Sequence, residues 1–295
     1  MKRVSTIVLC LAMVLSLALP GFASGEPSAD ARTSYTVEYI DSDGFYRVTN
    51  PNGGKTLGYT SLDLIEVQDG PYTYAFKDMN GNGELDPYED WRLDAQTRAE
   101  DLAADLTIEQ ISGLMLYPIG EPGEGGAVAD STWTMLDDLY VRFLLSNRGT
   151  KETAAVWNNA VQAHVEENDP NSIPVNISSD PRNTINGGRI TVYDDSNMSG
   201  WPGNLGLAAT FDPKYTLLHG QIVSQEYRAF GIGVGLSPQV DLATEPRWAR
   251  FAGTFGEGSI LASDLAAAYV HGFQSTWDGI GEDAVDLGWG RDSVI

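Results

Sequence analysis

The chain has 295 residues, 42% of them hydrophobic and 10% aromatic, enough apolar material for one large or two small globular domains. Its formal net charge of −23 weighs against nucleic acid and anionic membrane surfaces as partners, because both would be repelled and no Lys/Arg cluster offsets the repulsion. A neutral ligand such as a carbohydrate meets no such penalty.

Residues 1–24 read as a secretory signal: Lys2 and Arg3 lead, an apolar run follows from about Ile7 to Leu19, and Gly21 and Ala23 precede the expected cleavage site. The run is short of the roughly 20 apolar residues that span a bilayer, so the expected product is secreted, extracellular or periplasmic, and free of the membrane after cleavage. Cys10, the only cysteine, lies inside that segment, which leaves the expected mature protein no thiol for a disulfide, a metal site or a nucleophile.

Residues 25–77 are expected to form a small β-rich appendage, since Tyr35, Val37 and Tyr39 alternate in strand fashion and Asp43-Gly44 and Asn52-Gly53-Gly54 supply turns. The following segment, 78–90, contains DMNGNGELDPYE, which fits an EF-hand-like calcium loop. In that reading Asp78, Asn80, Asn82, Asp86 and Glu89 offer side-chain oxygens, Glu84 its backbone carbonyl, and Gly83 the sharp turn. The incoming GPYTYAF is strand-like rather than helical, so two readings stand, a structural calcium site and a metal-free Asx turn. No other cofactor is expected.

Residues 91–295 alternate between strand and helix patterns. Thr107 and Gln110 form a capping box for a short helix ending at Leu114 or Met115. VRFLLS (141–146) reads as a buried strand, 151–168 as a helix with Trp157, Val161 and Val165 on one face, and VNISS (175–179) as the next strand. Asp212 and Pro213 open a helix reaching about Phe230, GVGLSP (233–238) is a strand, and Leu261, Leu265, Ala268 and Gly272 line a helix over 259–274. This alternation predicts a parallel sheet with helices outside it, and periodicity alone does not separate a TIM barrel from a doubly wound sheet.

In a barrel the chemistry gathers where strands end. SSDPRN (178–183) follows one strand, and its Asp180 is either a carboxylate able to accept two sugar hydroxyls or an Asp-Pro turn former. Arg182 beside it is a sugar contact or the partner of a neighbouring acid. After the strand at 233–238, the loop carries Glu245, Arg247, Trp248, Arg250 and Glu257, side chains suited to binding sugars. Trp201, next to Pro202 and Gly203, reads first as loop packing and second as a sugar-stacking ring. His164, His219 and His271 all fall in expected helices and read as structural.

The succession SSDPRN, WPGNLGLAATFD, PRWAR and TFGE resembles glycoside hydrolase family 3 over roughly residues 75–295, with Ala249 where the family usually has glycine and Gly258 where it often has an acid. The resemblance implies a (β/α)8 TIM barrel of which only the first half is present. It further implies a β-glucosidase-like, retaining hydrolase of terminal β-linked sugars, acting on β-glucosides or β-linked oligosaccharides. Asp180 and Arg250 would hold the sugar, with Arg247 and Arg182 as further contacts. The same resemblance puts the nucleophile and the acid/base beyond Ile295, so this chain is expected to be an N-terminal portion that is inactive alone. The alternatives are a β-N-acetylhexosaminidase or β-xylosidase of the same family and a noncatalytic calcium-dependent module of dockerin type, although that type normally has two calcium loops and one is found here.

Overall fold

A computed structural model describes residues 32–40, 44–146, 150–181 and 198–274. The expected signal segment with Cys10, Arg182 and the stretch after residue 274 lie outside them.

The described chain begins with five short strands. β1 (Thr36–Ile40), β2 (Phe45–Thr49) and β3 (Thr56–Tyr59) form an antiparallel sheet, and β4 (Leu64–Asp69) pairs with β5 (Tyr72–Lys77) as a hairpin. Register places Tyr39, Tyr46 and Tyr59 in one cross-strand row, with ring centroids 4.9 and 5.1 Å apart. Cross-strand aromatic pairs of this kind steady a sheet with little core of its own. Asn50 joins the two pieces: it is buried, its amide donates to the carbonyls of Lys55 (2.9 Å) and Ala75 (3.1 Å), and its oxygen accepts from Ala75 N (2.7 Å).

Two helices follow. α1 (Ala95–Asp105) is capped by Asp94, whose carboxylate accepts from Thr97 N at 3.0 Å, and α2 (Ile108–Leu114) starts on the Thr107/Gln110 capping box. α3 (Asp130–Asp137) leads to β6 (Phe143–Leu145), and α4 (Lys151–Asn168) to β7 (Asn176–Ser179). α5 (Asn204–Ala208) and α6 (Pro213–Ala229) lead to β8 (Val234–Gly235), and a loop then enters α7 (Ser259–Gln274). The strand expected over 233–238 contracts to two residues, since Ser237 N turns back to Gly235 O at 2.9 Å instead of joining the ladder.

β6, β7 and β8 are parallel neighbours in that order. A further segment extends the sheet beyond β6, since Ile119 bridges Leu145 in parallel, Leu145 N donates to Pro118 O and Gly120 N donates to Leu145 O, both at 3.0 Å. The order is therefore 118–120, β6, β7, β8, and the described strands form an open sheet rather than a closed barrel.

Strand alternation divides this sheet into two faces. Leu144 and Ile177 face the helices and are fully buried with Trp157, Val161 and Val165 of α4, Val223 and Tyr227 of α6, and Leu265 and Tyr269 of α7. Burying each such side chain is worth roughly 1.5–3 kcal/mol, so this layer is where the domain's stability sits. α6 and α7 meet glycine to glycine: a Cβ on Gly272 would lie 2.4 Å from Leu217 O, and one on Gly220 2.7 Å from Tyr269 O, so only glycine permits the approach. The opposite face, carrying Tyr117, Ile119, Phe143, Leu145, Ser178, Val234 and Leu236, has no second layer among the described residues. Ile119 is 59% exposed, Tyr117 46%, and Phe143 and Leu236 39% each.

A part-buried ion pair docks the β-rich segment onto this α/β unit. Glu166 of α4 takes Lys77 Nζ at 2.7 Å, Thr60 Oγ1 at 2.9 Å and Ser61 N at 3.2 Å. Burial works to raise the Glu166 carboxyl, but Lys77 and these backbone donors together outweigh it and hold the group below the usual carboxylate range. Removing either partner leaves the other charge part-buried without its counterion.

Candidate functional site

In parallel α/β sheets ligands bind outside the carboxyl ends of the strands. Asp180 lies there, one residue past the end of β7, and it shares the uncovered face of the sheet with Ser178 two residues earlier. The last ladder contacts before it are Ser146 N to Ser178 O and Leu236 N to Ser179 O, each 2.9 Å, and Pro181 after it is buried. The Asp180 carboxylate is half-buried and accepts no hydrogen bond among the described residues.

Arg250 lies in the long loop that follows β8, the strand next to β7. It precedes a single 3₁₀ turn, Phe251–Gly253, and Gly253 N donates to Arg250 O at 3.0 Å. The loop is fastened at its base by Ala243 N to Gly256 O (3.0 Å) and by Asn204 Nδ2 to Gly253 O (2.9 Å), while Thr254 and Phe255 are buried beneath it. Arg250 itself is exposed, and its guanidinium has no ion pair among the described residues. Arg247 differs. Its guanidinium clasps the Glu245 carboxylate through two hydrogen bonds of 2.8 Å, which hold Glu245 down to about 2 and raise Arg247, with both groups open to solvent.

Trp201 packs rather than presents a face: its indole N–H donates to Ser199 Oγ at 2.8 Å and its ring meets His219 edge-on at 5.2 Å. Burial lowers the His219 imidazole to about 4, so at neutral pH it is an uncharged core residue. His164 stacks on Trp133 at 4.2 Å and reaches Asp137 at 2.7 Å, on the outer, helical side.

One polar side chain on this face escaped the reading of the sequence. Tyr117, just before the 118–120 segment, sets its hydroxyl against Ser178 Oγ, and Ser178 Oγ donates to Leu144 O at 3.0 Å. Burial raises the Tyr117 phenol, nearby Asp180 adds to the rise, and the Ser178 contact opposes it. The available signal was the short apolar run LMLYPIG between a capped helix and a glycine-rich loop.

The 78–89 loop is compact, with Asp78 and Glu89 both buried. Asp78 accepts from Gly83 N (2.9 Å) and Asn82 N (3.1 Å), Glu89 from Met79 N (2.6 Å) and Asp86 N (3.1 Å), and Gly83 has a φ of 77°. Asn80 and Asn82 turn their amide nitrogens to Asp86 Oδ2 at 2.7 Å each, and Glu84 N donates to Asn82 Oδ1 at 2.6 Å. Burial raises the Glu89 carboxyl against the backbone donors that lower it. No group of three or more His, Cys, Asp or Glu side chains among the described residues is gathered as a metal cage. The donor set still suits a hard cation, because its side-chain ligands are all oxygen-bearing and two of its carboxylates are buried with no cationic partner in the loop.

Residues 107–285, more than half of the chain, match the family description "Glycosyl hydrolase family 3 N terminal domain". The chain belongs to glycoside hydrolase family 3. A periplasmic β-glucosidase/β-xylosidase of Dickeya chrysanthemi is 39% identical over 220 residues, which cover 71% of this chain and 33% of that protein. A probable β-glucosidase C of Aspergillus oryzae is 35% identical over 224 residues, covering 73% and 34%. This chain thus spans about a third of the length of these relatives. Among solved structures, a β-glucosidase from Listeria innocua aligns over 68% of this chain and 26% of its own, with a TM-score of 0.49 and 20% identity. A β-N-acetylhexosaminidase from Beutenbergia cavernae aligns over 57% and 51%, with a TM-score of 0.47 and 24% identity. Membership of the family makes the α/β unit TIM-barrel-like in type. No helix among the described residues is long and apolar enough to cross a membrane.

Proposed function

We propose that this chain supplies the sugar-holding rim of a secreted, retaining β-glucosidase, with Asp180 and Arg250 gripping the terminal sugar. What supports the reading is that, among the described residues, the Asp180 carboxylate and the Arg250 guanidinium are each without a hydrogen bond or ion pair, and that they follow neighbouring parallel strands inside the segment that matches the family. A sugar hydroxyl both donates and accepts, so an Asp and an Arg free of other partners recognise it together. Arg247 takes a lesser part, since Glu245 already occupies its fork. Arg182, outside the described residues, is proposed only as a further contact.

Retaining hydrolysis needs two carboxyls about 5 Å apart, one attacking the anomeric carbon and one protonating the leaving oxygen. We assign neither to the described residues and place both in the two thirds of the relatives' length that this chain does not match. In the same reading the four parallel segments are the first half of a barrel, residues 25–77 a separate β-rich appendage, and the product periplasmic or extracellular after cleavage near residue 24. The named relatives include β-glucosidases and a β-glucosidase/β-xylosidase, so a panel of aryl β-glycosides tests the assignment. A version of the protein completed to the length of its relatives is expected to turn over the β-glucoside fastest. Faster turnover of the xyloside or the N-acetylglucosaminide would reassign the sugar, and no turnover of any would end the glycosidase reading.

We also propose that the loop from Asp78 to Glu89 holds a structural calcium ion, with Asp78, Asn80, Asn82, Asp86, Glu89 and the Glu84 carbonyl as ligands. The cation would neutralise carboxylates that are otherwise buried without one, and it would bind the folded state only. Chelator is expected to lower the melting temperature at matched ionic strength, added calcium to restore it, and Asp78→Ala to abolish the response. A melting curve indifferent to chelator would leave the metal-free Asx turn as the better description.

A further inference from the structure

We propose that Tyr117 is a positioning residue for Asp180, an inference that rests on Asp180 holding the sugar. Ser178 has a single hydroxyl proton, and that proton goes to Leu144 O at 3.0 Å. In the contact between the Tyr117 hydroxyl and Ser178 Oγ, Tyr117 is therefore the donor. The phenol reaches from the 118–120 segment across β6 to β7, two strand spacings or roughly 10 Å, and closes a relay from Tyr117 through Ser178 to the β6 backbone.

Ser178 is the last residue on this face of β7 that the sheet holds, and Asp180 is the next residue on the same face. Asp180 accepts no hydrogen bond of its own among the described residues, so the seating of Ser178 governs where its carboxylate points. Tyr117 fixes that seating from two strands away on the same face. The charge of Asp180 in turn helps to keep the phenol protonated and donating.

A ring that merely fills space under the rim would weaken every function of the rim equally, whereas a residue acting through Asp180 loses its effect once Asp180 is gone. Tyr117→Phe keeps the ring and removes only the donor, and Ser178→Ala removes the receiving oxygen should the first variant fold poorly. In the protein completed to the length of its relatives, each is expected to lower kcat/KM for an aryl β-glucoside about tenfold when Asp180 is present, and by less than about twofold in an Asp180→Ala background. Melting temperatures measured alongside separate this coupling from lost folding. Equal losses in both backgrounds, or no loss with Asp180 present, would overturn the proposal while leaving the sugar-holding role of Asp180 intact. An Asp180→Ala variant as active as the parent would overturn both.

Discussion

In the protein completed to the length of its relatives, Asp180→Ala and Arg250→Ala are each expected to lower kcat/KM for an aryl β-glucoside on the order of a hundredfold or more, about 3 kcal/mol of transition-state stabilisation. The size follows from the kind of bond lost. Each residue would make charge-assisted hydrogen bonds to the sugar, and truncation leaves the sugar hydroxyls without those partners. Neither side chain supports the fold through a hydrogen bond or ion pair among the described residues, so the loss should appear in kinetics and not in melting temperature. Arg247→Ala is the internal contrast. Its guanidinium is committed to Glu245 in full solvent, so a much smaller effect is expected from it.

Residues 25–295 alone are expected to hydrolyse no aryl β-glucoside above background and to remain in solution poorly or as aggregates. Two physical reasons lead to this result. The pair of catalytic carboxyls is assigned elsewhere, and the sheet that carries Asp180 has one apolar face without a covering layer among the described residues, with Tyr117, Ile119, Phe143 and Leu236 all open to solvent. Among the described residues its outer strands have no further partner, and open strand edges recruit other chains. Because either cause abolishes activity, light scattering and the cooperativity of thermal unfolding must be read separately from the assay. A monodisperse, cooperatively melting protein that still turned over substrate would move the catalytic carboxyls into this chain, with Glu257 and Asp241 the first to replace.

What the sequence revealed depended on how far each element buries a regular face. α4 was legible because Trp157, Val161 and Val165 recur at helical spacing and all three are buried, and α2 because its capping box is a local signal. α1 went unread because it buries none of its residues and so carries no apolar stripe, although Asp94 marks its start. The 118–120 segment joins the sheet through one bridge and a few hydrogen bonds, too short a stretch for alternation to register.

The site divides in the same way. Asp180 stood out because a carboxylate directly after a buried strand falls on the rim, and Arg250 through the resemblance that PRWAR carries. That Arg247 is tied to Glu245 while Arg250 is not depends on how the loop folds back, and two arginines three residues apart look alike in the sequence. Tyr117 was missed because its contact with Ser178 spans 61 positions and passes over an intervening strand. The calcium question stayed open for a related reason, since the same oxygens that would ligate a cation also close the loop with backbone hydrogen bonds.

One sugar ring is proposed to be held jointly by the end of β7 and the loop after β8. A crystal structure of the completed protein with a bound β-glucoside or its glucose product tests it most directly. The expected result is an Asp180 carboxylate oxygen and an Arg250 guanidinium nitrogen within about 3.2 Å of hydroxyls on the same ring. A sugar bound in the pocket with neither side chain in reach would contradict the account.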